Sequence, residues 1–267
     1  MSGAEADVAR VLVVLLGPAM GSAAALLADR LPRGEPVGLT RSRCRSCGRV
    51  LGARELVPVL SLLWLRGRCA GCGAAIPAWL LQAEIAGLAL GIGAALVGAG
   101  AGQVLLGAGV LWCLLALALA DLRHFRLPDV LTAALLVLAL ALAVIGDGRS
   151  WPGWPERLAG ALAGAALGAG AFALLRAGYR WRAGREGLGA GDVKLMAGIG
   201  ALTGPGALAL VTLVAGLSAL GVAGWRAWRR GRRLRRDARM PFGAFLALSA
   251  ALVWLTWGGP APFLALR

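Results

Sequence analysis

The sequence predicts an all-α polytopic membrane protein of about eight transmembrane helices, with a small zinc-ribbon-like loop on the cytoplasmic side. Three observations lead there. Of the 267 residues, 59% are hydrophobic and 15% charged, and the mean hydropathy is +0.75, whereas a soluble domain carries roughly 25% charged residues. The apolar residues come in blocks of about 20, the length that crosses roughly 30 Å of hydrocarbon. No sustained alternation of polar and apolar residues points to a barrel, so the blocks must satisfy their backbone hydrogen bonds as helices.

Eight segments follow along the chain: 8–28, 78–98, 101–120, 129–146, 158–178, 193–203, 207–224 and 241–258. The first has only Arg10 near its start, two acids (Glu5 and Asp7) ahead of it, and an apolar stretch too long for a signal-peptide core. It reads as a retained helix. The third segment is closed by Asp121. The fourth opens at Asp129, after Leu127-Pro128, in the manner of a helix start. The sixth is the weak one: eleven residues of helix cover only about 16 Å, so it is short, extended at its N-terminal end, or re-entrant. Abundant Gly and Ala fit close helix–helix approach, because small side chains let backbones touch.

The charges set the orientation. The connections 29–77, 121–128, 176–194 and 225–240 hold 24 of the 28 Lys and Arg residues, and the other side keeps Arg10, Arg149, Arg157 and Arg267. Positive loops stay in the cytoplasm, so both termini are expected on the opposite face. The same placement excludes nucleic acid as the explanation of the +15 net charge. The basic run Arg226 to Arg239 serves instead to fix topology and to touch anionic lipid headgroups. The chain divides into a first helix (1–28), a cytoplasmic four-Cys loop (29–77) and a transmembrane core (78–267).

Within the loop lie Cys44-Arg-Ser-Cys47-Gly48 and Cys69-Ala-Gly-Cys72-Gly73. Two thiolates two residues apart grip one tetrahedral ion, and the Gly that follows accepts the positive φ of the tight turn. Cys44, Cys47, Cys69 and Cys72 are therefore candidate zinc ligands. Four thiolates leave no open position, so the role is structural. The rival reading, two disulfides, conflicts with a reducing cytoplasm. Cys113, alone in an apolar helix, reads as a small buried hydrophobe.

Few acids touch the apolar segments: Glu84, Asp121, Asp129 and Asp192. An ionisable group at such a place is costly and points to function. Asp121 ends the third segment and Asp192 opens the sixth, which puts both at the cytoplasmic face. Two carboxylates within a few Å cannot both ionise and so share a proton. One then serves as general base on a water while the other, protonated, polarises a carbonyl. Gly189 and Gly191, just before Asp192, would let a substrate backbone approach closely. Plainer readings compete: Asp192 as a helix-start acid neutralised by Lys194, Asp129 as a helix-start residue, and Glu84 either hydrogen-bonded in the bundle interior or lining the active cavity. His124, the single histidine, has no Ser or Cys at a spacing that supports nucleophilic catalysis.

Taken in order, these motifs resemble the prepilin peptidase (type IV leader peptidase) family of GxGD-type intramembrane aspartic proteases. The family's N-terminal G-S-F-x-N…R-x-P is matched by Gly21-Ser22-Ala23-Ala24-Ala25…Arg30-Leu31-Pro32, without the Phe and Asn. The loop follows the pattern through Cys44-x-x-Cys47, Val57-Pro58-Val59-Leu60-Ser61, Arg66-Gly67-Arg68-Cys69-x-x-Cys72 and Ile76-Pro77. The usual P-x-x-E is Leu81-Gln82-Ala83-Glu84. Asp121 to Asp129 matches the first aspartate motif and Gly189-Ala-Gly-Asp192-Val-Lys194 the second. Met240-Pro241-Phe242-Gly243-Ala244-Phe245 is similar to the late P-F-G-P-F element.

The resemblance implies an aspartic endopeptidase of the bacterial inner membrane with Asp121 and Asp192 as the catalytic pair. Lys194, Asp129 and Glu84 are expected in support. The implied substrate is a prepilin or pseudopilin with a short basic leader, cut after a Gly that precedes an apolar helix. Members of the family also N-methylate the new N-terminus with S-adenosylmethionine, and the missing Phe and Asn near Ser22 leave that activity open. Two other classes stand against the peptidase: a transporter carrying protons on the two aspartates, and a membrane anchor presenting a zinc module.

Overall fold

The computed structural model describes residues 3–38, 41–145, 153–184, 187–231 and 240–257. Residues 232–239, within the basic run, lie outside these. The chain forms α1 (Gly3–Arg30), α2 (Leu60–Trp64), α3 (Ala78–Val97), α4 (Ala101–His124), α5 (Asp129–Ile145), α6 (Trp154–Ala183), α7 (Ala190–Arg229) and α8 (Phe242–Trp257). Among the described residues there is no strand, only the isolated bridges Arg43↔Val50 and Arg68↔Ala75 in the cysteine loop. Five helices are long and apolar enough to cross a membrane, and α5 and α8 are shorter apolar helices. Large apolar side chains such as Leu15, Leu96, Val137, Leu174 and Leu220 face outward. An apolar exterior of this kind suits lipid and not water.

The eighth crossing is inside α7. Gly204 adopts φ 69° and ψ 172° and is followed by Pro205, a backbone state open to glycine next to a residue with no N–H to give. A Cβ built on Gly168 of α6 would lie 2.5 Å from the Met196 carbonyl oxygen and 3.4 Å from Leu208 Cδ2. In a straight helix those two residues would stand roughly 18 Å apart. The two halves of α7 therefore fold back beside each other, giving the expected sixth and seventh segments. The sixth is extended at its N-terminal end, to Ala190.

Small residues bring the helices into backbone contact. A Cβ on Gly21 of α1 would collide with the Ala83 carbonyl of α3, and one on Gly164 with the Gly200 carbonyl. Trp112 Nε1 donates to the Gly87 carbonyl at 2.9 Å, tying α4 to that first pair. Helix α4 is the centre of the bundle, with fourteen of its 24 residues buried. Its last buried residue is Asp121. Cross-links at this end join α4 to its neighbours: Arg126 donates to the Pro32 carbonyl at 3.1 Å, and the Arg123 guanidinium stacks 4.0 Å over Trp79 at the start of α3. The last turn of α4 and the first turns of α3, α5, α7 and α8 thus meet at one end of the bundle, beside the cysteine loop.

Candidate active site and four-cysteine module

Asp121 and Asp192 come together there. Helix α4 continues one turn past its apolar block and stops at Phe125, whose φ of 52° caps it. Asp192 is in the first turn of α7, where its Oδ2 accepts the Gly189 N–H at 3.3 Å. The two carboxylates flank Gly243 in the first turn of α8. A Cβ built on that glycine would be 3.1 Å from Asp121 Oδ2 and 3.1 Å from Asp192 Oδ1. These two oxygens are therefore separated by no more than twice that distance. Asp121 is 6% exposed and accepts the Ala244 N–H at 2.8 Å. A helix N-terminus offers unpaired N–H groups and partial positive charge, and each carboxylate sits at one: Asp121 at the start of α8 and Asp192 at the start of α7.

The pair opens on a cavity of about 460 Å³, whose walls include Leu31, Pro32, Phe125, Leu127, Gly189 and Gly191. Leu127 fixes the spacing: its side chain stands 2.9 Å from where a Cβ would be on Gly191, and equally close to one on Gly243. Both glycines are thus occupied on one side by the same leucine. Gly243, Ala244 and Leu127 are the site components that composition and acid placement did not single out. The signal available was Pro241-Phe242-Gly243 opening the last apolar segment.

The supporting residues divide. Lys194 pairs with Asp129 at 2.7 Å, whereas the competing reading had it neutralise Asp192. Asp129 is the first residue of α5, as a helix-start acid should be. Both side chains line the cavity rim, yet they are 51% and 73% exposed, and exposed pairs contribute at most about 1 kcal/mol. Lys194→Gln should accordingly shift the thermal unfolding midpoint only slightly. Glu84 takes the interior alternative: it is buried, and its Oε2 accepts the Val59 N–H at 2.7 Å. It does not line the carboxylates' cavity. His124 lies 3.8 Å from Asp29 and does not line the carboxylates' cavity. Cys113 is buried and donates to the Leu131 carbonyl at 3.3 Å.

The cysteine loop forms two matching turns. Cys44 N–H donates to the Arg49 carbonyl and Cys69 N–H to the Ala74 carbonyl, at 2.9 and 2.8 Å. Gly48 and Gly73 close the turns with φ of 72° and 69°. The four Sγ atoms lie within 4.8 Å of one another, with Cys44 and Cys72 3.9 Å apart and all thiols free. Thiolates about 2.3 Å from one zinc ion would stand roughly 3.8 Å from each other, so the cluster fits a metal and is too open for disulfides. Backbone N–H groups of Cys72 and Gly71 pull the Cys69 thiol down to about 6. Those of Cys47 and Ser46 lower Cys44. Arg45, between the first two cysteines, pairs with Glu35 at 2.9 Å and with Asp29 at the end of α1, which ties the module to the bundle.

A polytopic helical membrane protein with two carboxylates converging at one end and a four-thiol cluster beside them is the class that this fold and site define. Residues 15–97 match the bacterial peptidase A24 N-terminal domain and residues 108–224 the type IV leader peptidase family. A prepilin leader peptidase/N-methyltransferase of Aeromonas hydrophila is 34% identical over 82% of this chain and 72% of its own length. One from Burkholderia pseudomallei is 36% identical over 87% and 72%, and one from Dichelobacter nodosus 34% identical over 81% and 70%. No solved structure matches the chain. The chain belongs to the type IV leader peptidase family.

Proposed function

We propose that this chain is a prepilin leader peptidase, an aspartic endopeptidase that removes the basic leader from prepilin-like proteins at the cytoplasmic face of the bacterial inner membrane. The observation that carries the reading is the placement of Asp121 and Asp192 on either side of Gly243, in a chain whose relatives bear that name. The distribution of Lys and Arg supports a cytoplasmic site and termini on the opposite side. Residues 29–77 act as a module set between the first helix and the 78–267 core.

In this mechanism the substrate's apolar segment lies in the bilayer and its leader junction enters the 460 Å³ cavity. Gly189 and Gly191 line that cavity, with the space beside Gly191 filled by Leu127. Asp121, held by the Ala244 N–H, takes a proton from the water between the carboxylates. The water oxygen attacks the carbonyl carbon of the Gly before the cut. Asp192, protonated, donates to the carbonyl oxygen, and the tetrahedral species collapses with proton transfer to the leaving amine. No covalent enzyme intermediate is required. A transporter reading gives the cysteine module no task, and an anchor reading gives the carboxylate pair none.

The test is co-expression of a prepilin with the wild type, Asp121→Ala or Asp192→Ala, followed by the mass of the pilin. Leader loss with the wild type alone supports the reading; continued processing by both variants overturns it.

We further propose that Cys44, Cys47, Cys69 and Cys72 hold one structural zinc ion. Purified protein should contain about one equivalent. Cys44→Ser should lose it and lower the thermal midpoint; intact free thiols in metal-free protein of unchanged stability would contradict the assignment.

A further inference from the structure

The link between α4 and α5 is held along its length. The Phe125 N–H donates to the Asp121 carbonyl at 2.9 Å, and the Pro128 carbonyl accepts from the N–H groups of Leu131 and Thr132, each at 3.1 Å. Between these ends Arg126 donates to the Pro32 carbonyl. Leu127 precedes Pro128, whose ring disfavours helical backbone at the leucine. The position of the Leu127 side chain is thus set by its surroundings on both sides.

That side chain is half-buried and lines the carboxylates' cavity. Its Cβ stands 2.9 Å, and its Cδ1 3.3 Å, from where a Cβ would be on Gly191. The same Cδ1 stands 2.9 Å from the corresponding point on Gly243, and that point is 3.1 Å from Asp121 Oδ2 and 3.1 Å from Asp192 Oδ1. Outside α8, this methyl and the two carboxylate oxygens are the three heavy atoms nearest to it. The two glycines therefore serve as sockets that admit the leucine, and the leucine carries an apolar wall up to the reactive oxygens.

We infer that Leu127 sets the size limit on the substrate residue whose carbonyl is attacked. The inference rests on the peptidase reading. A carbonyl carbon attacked by a water on these carboxylates has to come within about 3–3.5 Å of that water. A side chain on the same residue begins only two bonds from the carbonyl carbon, so it is carried into the space beside the carboxylates. The Leu127 methyl already occupies that space. A residue without a Cβ is accepted, and a larger one is refused by contact with a wall that cannot move aside. Selectivity of this kind is a clash built against the competitor, not a contact made with the substrate. Shortening the wall should relax it.

The test uses the full chain in detergent micelles and two prepilin substrates that differ only in having Gly or Ala before the cut, with kcat/KM taken from initial rates. The wild type should prefer Gly by roughly 10²-fold or more, the cost of a displacement near 1 Å at the reacting groups. Leu127→Ala should lower that preference at least tenfold, Leu127→Val should lower it less, and Leu127→Ile, which keeps the volume, should retain it. Elution volume and thermal midpoint check folding, and Leu127→Val carries the test if Leu127→Ala does not fold. A purely structural role would slow both substrates by one factor and leave the ratio where it was. An unchanged ratio in the folded variant, or a wild type that cuts both substrates equally well, would overturn the inference and leave the peptidase reading standing. A wild type that cuts neither would overturn the peptidase reading, and this inference with it.

Discussion

Cleavage should fall by roughly 10³-fold or more in Asp121→Asn and in Asp192→Asn, measured as the initial rate on a purified prepilin. Asn is close to isosteric with Asp, so packing at the end of α4 and in the first turn of α7 is kept. What is lost is the ability to take or hold a proton. In Asp121→Asn the Ala244 N–H still finds an oxygen acceptor, but the amide cannot deprotonate the water. In Asp192→Asn the group can still donate an N–H to the substrate carbonyl, yet cannot exchange a proton with the leaving amine. Neither variant should change the elution volume or the thermal midpoint, which separates lost chemistry from lost structure.

Gly243→Ala should have the next largest effect, a loss of cleavage of roughly 10²-fold, because a displacement near 1 Å at reacting groups costs about that much. The added methyl would lie 3.1 Å from an oxygen of each aspartate and 2.9 Å from Leu127 Cδ1, where the attacking water belongs. The neighbours cannot all withdraw: Asp121 is held by the next residue's N–H, and Leu127 is pressed against Gly191 on its other side. The bundle should survive, since α8 is anchored deeper by buried Leu246, Ala250 and Trp254. A folded Gly243→Ala protein with wild-type rates would mean that the carboxylates do not work through the space between them.

Much of this arrangement was legible from the residues. Hydropathy located each crossing because lipid demands apolar length. It misplaced the helix ends, because a helix does not stop where the hydrocarbon does: α6 runs on to Ala183 and ends at the left-handed Gly184. The break between the sixth and seventh crossings was readable as the dip at Gly204-Pro205. That its two halves fold back on α6 was not, since that depends on Gly164 and Gly168 admitting backbone contact. Asp121 and Asp192 stood out because acids at membrane edges are rare. Gly243 did not, for a glycine's importance lies in what occupies the space its side chain would fill. The partner of Lys194 was not legible for a related reason: sequence proximity points to Asp192, while the first turn of α5 brings Asp129 within 2.7 Å.

The most direct measurement is a double-mutant comparison on one prepilin substrate: initial cleavage rates of wild type, Asp121→Asn, Asp192→Asn and the protein carrying both changes. Two groups that share one water act as a unit, so the double variant should be no slower than the slower single one. Losses that multiply, or a single variant that keeps wild-type rates, would show that the two aspartates do not work together.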